Sequence, residues 1–185
     1  MRALIVSQRF PPDRLAGSEI QAQLLARELR RPGHEPNILT TIQNNGAPPE
    51  TMGVPADVIP VLSGPLRIPS QWLATKRHLA GSTRQFDIVH CHCVSPTCLA
   101  ALQIYRGQGT PVLMQPSLGG SGGEIDRVNL PLVGSLLRRL VASADGYGVV
   151  DDNIHGELLA IGVDEERMHW TRYGVDLDRF QPVDA

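Results

Sequence analysis

Residues 117–127, Ser-Leu-Gly-Gly-Ser-Gly-Gly-Glu-Ile-Asp-Arg, hold the densest run of groups able to do chemistry. Gly119, Gly120, Gly122 and Gly123 expose backbone N–H groups and permit dihedrals closed to other residues. Glu124 and Asp126 are the only acids between Asp87 and Asp145. Such carboxylates accept hydrogen bonds from hydroxyls or help to deprotonate one. Arg127 beside them offers a fork of donors for phosphate. The same string also fits a linker whose Asp126 caps a helix starting near residue 130, and both readings stay open. Small residues bury little apolar surface, and ordering the backbone costs roughly 1–2 kcal/mol per residue. Gly119–Gly123 is therefore expected to be mobile in the isolated domain.

A second candidate is the loop 8–18, which ends in Ala16-Gly17-Ser18 where a helix opens. Free N–H groups and the helix dipole favour an anion there. Neither G-x-G-x-x-G nor G-x-x-x-x-G-K-S/T is present, so the dinucleotide fingerprint and the P-loop are both missing. The plain alternative is a helix capped by small residues. His90-Cys91-His92-Cys93 suggests a metal site at first sight. On a strand, however, alternate side chains point to opposite faces, so the histidines face away from the cysteines and no tetrahedral set converges. No metal is expected. His92 reads either as lining the mouth of a cleft or as a packed structural histidine.

These loops need a scaffold, and the hydrophobic pattern supplies one. Short aliphatic runs mark strands at 4–6, 37–40, 57–61, 87–90, 111–114, 148–150 and 167–170. Helical spacing joins Ala22, Leu25, Ala26 and Leu29, and Pro32-Gly33 stops that helix. Ser95-Pro96 reads as an N-cap with a first-turn proline, followed by Cys98, Ala101, Leu102 and Tyr105. Val133, Leu136, Leu137 and Leu140 form another stripe, and Asp151 or Asp152 caps the helix of Ile154, Leu158 and Ile161. Strands alternating with helices predict a parallel sheet with right-handed crossovers, a Rossmann-like three-layer α/β/α sandwich. Ligands of such sheets lie at the carboxyl ends of the strands.

The chain has 185 residues, 42% of them apolar and 19% charged, which excludes disorder. No apolar run approaches a membrane span, and the stretch after Met1 is too short for a signal peptide. Three cysteines make no disulfide scaffold. A cytoplasmic protein is expected. Aromatics at 4% and a net charge of −2 argue against nucleic acid as partner. Charge is uneven: residues 58–144 carry eight bases against three acids, and residues 145–185 three against ten. Within 64–84, Trp72, Leu73 and Leu79 accompany Arg67, Lys76, Arg77 and Arg84 with no acid. That is either a basic helix for peripheral contact with a membrane or a packing stripe with a solvated basic face.

Three pieces of sequence resemble retaining glycosyltransferases of family 4. The first is Pro11-Pro12, Ala16-Gly17-Ser18-Glu19, Leu25-Ala26-Arg27-Glu28-Leu29 and Gly33-His34-Glu35. The second is Phe86-Asp87-Ile88-Val89-His90-Cys91-His92. The third, Tyr173-Gly174-Val175-Asp176-Leu177-Asp178-Arg179-Phe180-Gln181-Pro182, is similar to the stretch linking the two domains of these enzymes. The resemblance implies one half of a GT-B architecture: an N-terminal, acceptor-side domain over 1–172 and an interdomain hinge over 173–185. It implies that the C-terminal domain, which binds the nucleotide-sugar donor, is absent from this chain and is its partner. The activity implied is hexosyltransferase-like transfer to an acceptor hydroxyl with retention, and the fragment alone is expected to be inactive. No cofactor is implied on this chain. The acceptor would be a sugar or a lipid-linked molecule.

Carried onto this sequence, the resemblance puts Ala16, Gly17 and Ser18 on the donor side. The residues themselves, rather than the resemblance, nominate His92, Ser117, Gly119, Gly120, Glu124 and Arg127 for the acceptor cleft, with Asp126 as the catalytic candidate. Closure over substrate would then order the glycine loop. Three departures stand out. Ala16 replaces the first loop glycine, and Tyr173 replaces an asparagine. The histidine that many members carry after the fifth strand has no counterpart in 114–127. Two other readings compete: a nucleotide- or dinucleotide-binding Rossmann module, and a non-catalytic partner subunit.

Overall fold

A computed structural model describes residues 1–10, 17–43, 46, 48–128, 130–175 and 180. Seven strands run β1 (Arg2–Ser7), β2 (Glu35–Gln43), β3 (Ala56–Val61), β4 (Ile88–His92), β5 (Val112–Gln115), β6 (Gly146–Val149) and β7 (Met168–Trp170). All pair in parallel in the order β3-β2-β1-β4-β5-β6-β7. Helices α1 (Gly17–Arg30), α2 (Arg67–Ala80), α3 (Pro96–Gly107), α4 (Gly134–Val141) and α5 (Asp152–Ala160) lie between them. This is the Rossmann-like α/β architecture expected from the alternation. β3, expected at 57–61, pairs with β2 over six positions.

Strand alternation divides the core in two. Leu4, Val6, Leu39, Val89, Cys91, Met114, Tyr147 and Val149 meet α2, α3, α4 and α5 on one face. Ile5 and Ile38 meet Ala22 and Ala26 of α1, together with Phe10 and Val54, on the other. Right-handed crossovers explain the division. The chain moves one way from β1 through β3, then reverses, so every later helix falls on the opposite side. Among the described residues α1 is the only helix on its face. The reversal lies between β1 and β4, which sets a crevice at their carboxyl ends.

Local rules place the helices. Ser95 Oγ accepts from Cys98 N at 3.2 Å, and Pro96 opens α3. Asp151 accepts from Ile154 N at 2.8 Å and caps α5. Gly33 takes φ +78°, as the stop after α1 requires. The α4 stripe is corrected in part: Leu137 and Leu140 pack on the core, but the helix opens only at Gly134, and Val133 and Leu136 point to solvent. In α2 the inward face is Gln71, Thr75 and Leu79. Trp72 packs against the core, whereas Leu66, Ile68 and Leu73 are exposed. No described helix is long and apolar enough to cross a membrane.

Candidate functional site

The glycine loop after β5 is pinned, against the expectation of mobility. Glu124 Oε2 accepts from Val94 N at 2.7 Å and from Ser117 N at 3.3 Å, and Oε1 accepts from Ser117 Oγ. This carboxylate thus ties the loop after β5 to the loop after β4, across the carboxyl edge of the sheet. Burial pushes its pKa up, opposed by those hydrogen bonds and by the charge of Arg127. Gly120 N donates to Glu157 Oε1 at 2.7 Å, so α5 holds the loop from outside. Gly119 lies so close that a Cβ would come within 2.9 Å of Asn153 Cβ and Ile154 N. A Cβ on Gly123 would lie 2.7 Å from the carbonyl oxygens of Gly120 and Leu118. Composition alone could not reveal this, because Val94 and Glu157 are remote in sequence.

Asp126 sits on a turn of 3₁₀ helix, Asp126–Val128, exposed to solvent. Its Oδ2 accepts from Gly122 N at 2.9 Å. Asp126 therefore caps the glycine loop itself, and α4 begins further on, at Gly134. Arg127 is exposed beside it. The structure brings Ser117, Gly119, Gly120, Glu124, Asp126 and Arg127 into one hydrogen-bonded loop, with Glu124 and Gly120 shaping it.

His92 belongs to a different wall. It is 3% exposed, on the α1 face of the sheet, with its ring 4.3 Å from that of His90. His90 Nε2 lies 3.0 Å from Gln115 Oε1. Burial lowers both histidines: His90 to about 4, against the hydrogen bond it donates to Gln115 Oε1, and His92 well below the usual range, helped by the charge of His90. His92 Nε2 is buried and, among the described residues, has no hydrogen-bond partner. These residues floor a cleft of about 670 Å³ between α1 and residues 171–175. Gln21 Nε2 donates to Gly174 O at 3.2 Å across its top. Tyr173 connects cleft and loop. Burial raises its phenol, a hydrogen bond to Gln115 opposes that, and the charges of Glu124 and Asp151 add to it. Gln115 and Gln21 escaped the sequence reading, and His90 entered it only within the His90–Cys93 run and the strand motif, not as a cleft residue. The period-two alternation of β4 and β5 carried the signal for His90 and Gln115.

Cys91 and Cys93 lie on the other face, as alternation requires, and meet Cys98 of α3 there. Cys93 Sγ is 3.8 Å from Cys98 Sγ, and both thiols are raised, Cys93 chiefly by that hydrogen bond and Cys98 by burial. Cys93 holds φ +106° at the carboxyl end of β4, a rare conformation for a residue with a side chain. Among the described residues no cluster of three or more histidine, cysteine or acidic side chains could hold a metal.

Of the residues expected on the donor side, Ala16 lies outside the described residues, as do 11–15. Gly17 is the first residue of α1, and a Cβ there would meet no atom within 4 Å. Ser18 Oγ donates to Glu19 Oε2 at 2.8 Å. Of the hinge expected at 173–185, residues 176–179 and 181–185 are outside the described set, and Tyr173–Val175 line the cleft.

A seven-stranded parallel sheet with a reversal beside β1, loops gathered at its carboxyl edge and a cleft below defines one Rossmann-like half of the GT-B fold. Residues 16–174 match the family described as Glycosyl transferase 4-like domain, and the chain belongs to that family. Comparison with curated proteins gives no match. Among solved structures, Anabaena HepE in complex with UDP and glucose is similar at TM-score 0.63 and 11% identity, over 96% of this chain and 46% of that one. The lipopolysaccharide outer core galactosyltransferase WaaB is similar at 0.61 and 14%, over 91% and 44%. The UDP-GlcNAc 2-epimerase of Methanocaldococcus jannaschii is similar at 0.58 and 16%, over 92% and 45%. The chain spans less than half the length of each.

Proposed function

We propose that this chain is the acceptor-side half of a retaining glycosyltransferase, which moves a sugar from a nucleotide-sugar to an acceptor hydroxyl together with a donor-binding half. The family match over residues 16–174 carries the reading. The fold likeness alone extends equally to epimerases. Backbone N–H groups at the start of α1, beside Gly17 and Ser18, would face the donor phosphates, where the helix dipole favours negative charge. Ser117, Gly119, Arg127 and the adjoining loop would hold the acceptor. Glu124 and Gly120 are engaged inside the loop, so they act by setting its shape. Asp126 is the exposed carboxylate of that loop and would accept the proton of the acceptor hydroxyl. His92, in the cleft under Tyr173, would orient groups at the edge of the site.

The test is transfer by a two-domain protein that contains this chain, assayed against a panel of nucleotide-sugars, with the anomeric configuration of the product read by NMR. The expected result is transfer with retention and no turnover by the 185-residue chain alone. Multiple turnover by the chain alone, or an inverted product, would overturn the reading.

A further inference from the structure

The φ of +106° at Cys93 is a conformation that glycine adopts freely and a side chain enters only at a cost. In that conformation Cys93 Sγ lies 3.8 Å from Cys98 Sγ, in the first turn of α3. Cys93 is partly exposed and Cys98 is buried. The backbone at Cys93 joins both loops of the candidate site. Cys93 N donates to Gln115 O at 3.0 Å, and the next amide, Val94 N, donates to Glu124 Oε2 at 2.7 Å. Cys98 sits on firmer ground, because its own amide is held by the Ser95 cap. The third thiol, Cys91, is buried inside β4 and directs its Sγ to the carbonyl oxygen of Cys98 at 3.6 Å.

We propose that Cys93 and Cys98 form a reversible disulfide on exposure to a low-molecular-weight disulfide, and that closing the bond releases Val94 N from Glu124. Cys93, the accessible thiol, gives its proton to water and attacks one sulfur of the small disulfide. A mixed disulfide forms, and the first small thiolate leaves and takes up a proton. Cys98 then loses its proton, attacks Cys93 Sγ and expels the second small thiolate, which is protonated in turn. The protein gives up two electrons and two protons, and the small disulfide becomes two thiols. Disulfide sulfurs lie about 2.05 Å apart, so the pair must draw together by roughly 1.8 Å. The capped helix turn holds Cys98, so the 93–94 segment yields, and the bond it carries is the one to Glu124. The raised thiols make the exchange slow, which suits a pair that responds to sustained oxidation. The inference requires neither sugar transfer nor a second domain.

The test equilibrates the folded chain with oxidised glutathione in excess, quenches it in acid, and counts free thiols after unfolding. Intact mass separates an internal disulfide from glutathione adducts. Wild type carries three thiols when reduced and should keep only one when oxidised. Cys91→Ser should lose both remaining thiols together, and reduced glutathione should restore them. Cys93→Gly should form no internal disulfide. It should also melt no lower than wild type, because glycine accepts the backbone at this position, so its result is read on a folded protein. In oxidised Cys91→Ser, hydrogen exchange at the Val94 and Ser117 amides should rise at least about tenfold over the reduced form, with the amides of β1 unchanged. Three results would overturn the pair: thiols that all stay free, a glutathione adduct on Cys93 that never resolves, or a disulfide that forms equally in Cys93→Gly. A disulfide that leaves exchange at Val94 unaltered would overturn its link to Glu124.

Discussion

Removing the Glu124 carboxylate should loosen the carboxyl edge of the sheet without touching the core. Glu124→Ala takes away the acceptor of two backbone N–H groups, on Val94 and Ser117, and of the Ser117 hydroxyl. Hydrogen bonds to a charged group contribute about 1.5–3 kcal/mol each. Two effects reduce that total. The carboxylate's own burial penalty, the largest influence on its pKa, disappears with it. The site is also only partly buried, so water reaches the freed N–H groups. We expect a net loss of about 3 kcal/mol. For a domain of this size that lowers Tm by about 6–12 °C. Glu124→Gln separates charge from shape. The folded carboxyl titrates above its unfolded value of 4.5, so the native state binds the proton more tightly. Stability from this group is complete below that value and declines as pH rises through the folded pKa. The glutamine variant lacks this decline, so its deficit relative to wild type should shrink with rising pH. Thermal melts followed by circular dichroism between pH 4 and 7 measure both effects, and hydrogen exchange at Val94 and Ser117 localises them. A Tm change under about 2 °C for Glu124→Ala, with unchanged exchange at those amides, would refute the clamp.

Three further outcomes follow from the geometry. Gly123→Ala should cost about 2–4 kcal/mol, because its Cβ would strike two carbonyl oxygens at 2.7 Å; Gly120→Ala, with open space at φ +81°, should cost about 1 kcal/mol, and paired denaturant titrations compare them. Asp126→Asn keeps an oxygen for Gly122 N, so Tm should hold within about 2 °C, while turnover of a two-domain enzyme falls about a hundredfold if Asp126 is the base. His90 titrates near 4 when folded and 6.5 when unfolded, so its contribution is lost as pH falls between those values, by up to about 1.4 kcal/mol per unit; His90→Gln should flatten that slope in acid melts.

The strands and most helix ends were legible because their signals are local. Ser95-Pro96, Asp151 and Gly33 each act within four residues of themselves. The candidate loop was legible in content but not in state. Its glycines read as freedom, whereas Glu124 and Glu157 convert them into close approach, and both partnerships depend on where the chain returns in space. The cleft under Tyr173 was illegible for another reason. Placing His90, His92 and Gln115 opposite α1 required knowing where the strand order reverses. The α4 stripe misled because Leu136 has helical spacing yet no neighbour to cover it.

The division of the core has a consequence for local unfolding. Four helices share one continuous apolar cluster, so they gain or lose structure as a unit. α1 rests instead on a small cluster through Ala22 and Ala26, with Leu25 and Leu29 partly buried against it, and hydrogen bonds fasten it to loops: Gln23 to Glu50 O, Arg30 to Gly53 O and Gln21 to Gly174 O. It is therefore expected to open as a separate foldon, with amides that exchange before those of the other helices. Gly17 and Ser18, proposed above to face the donor phosphates, are its first turn. An anion bound there would stabilise the helix it binds to, and so would slow exchange along all fourteen residues of α1.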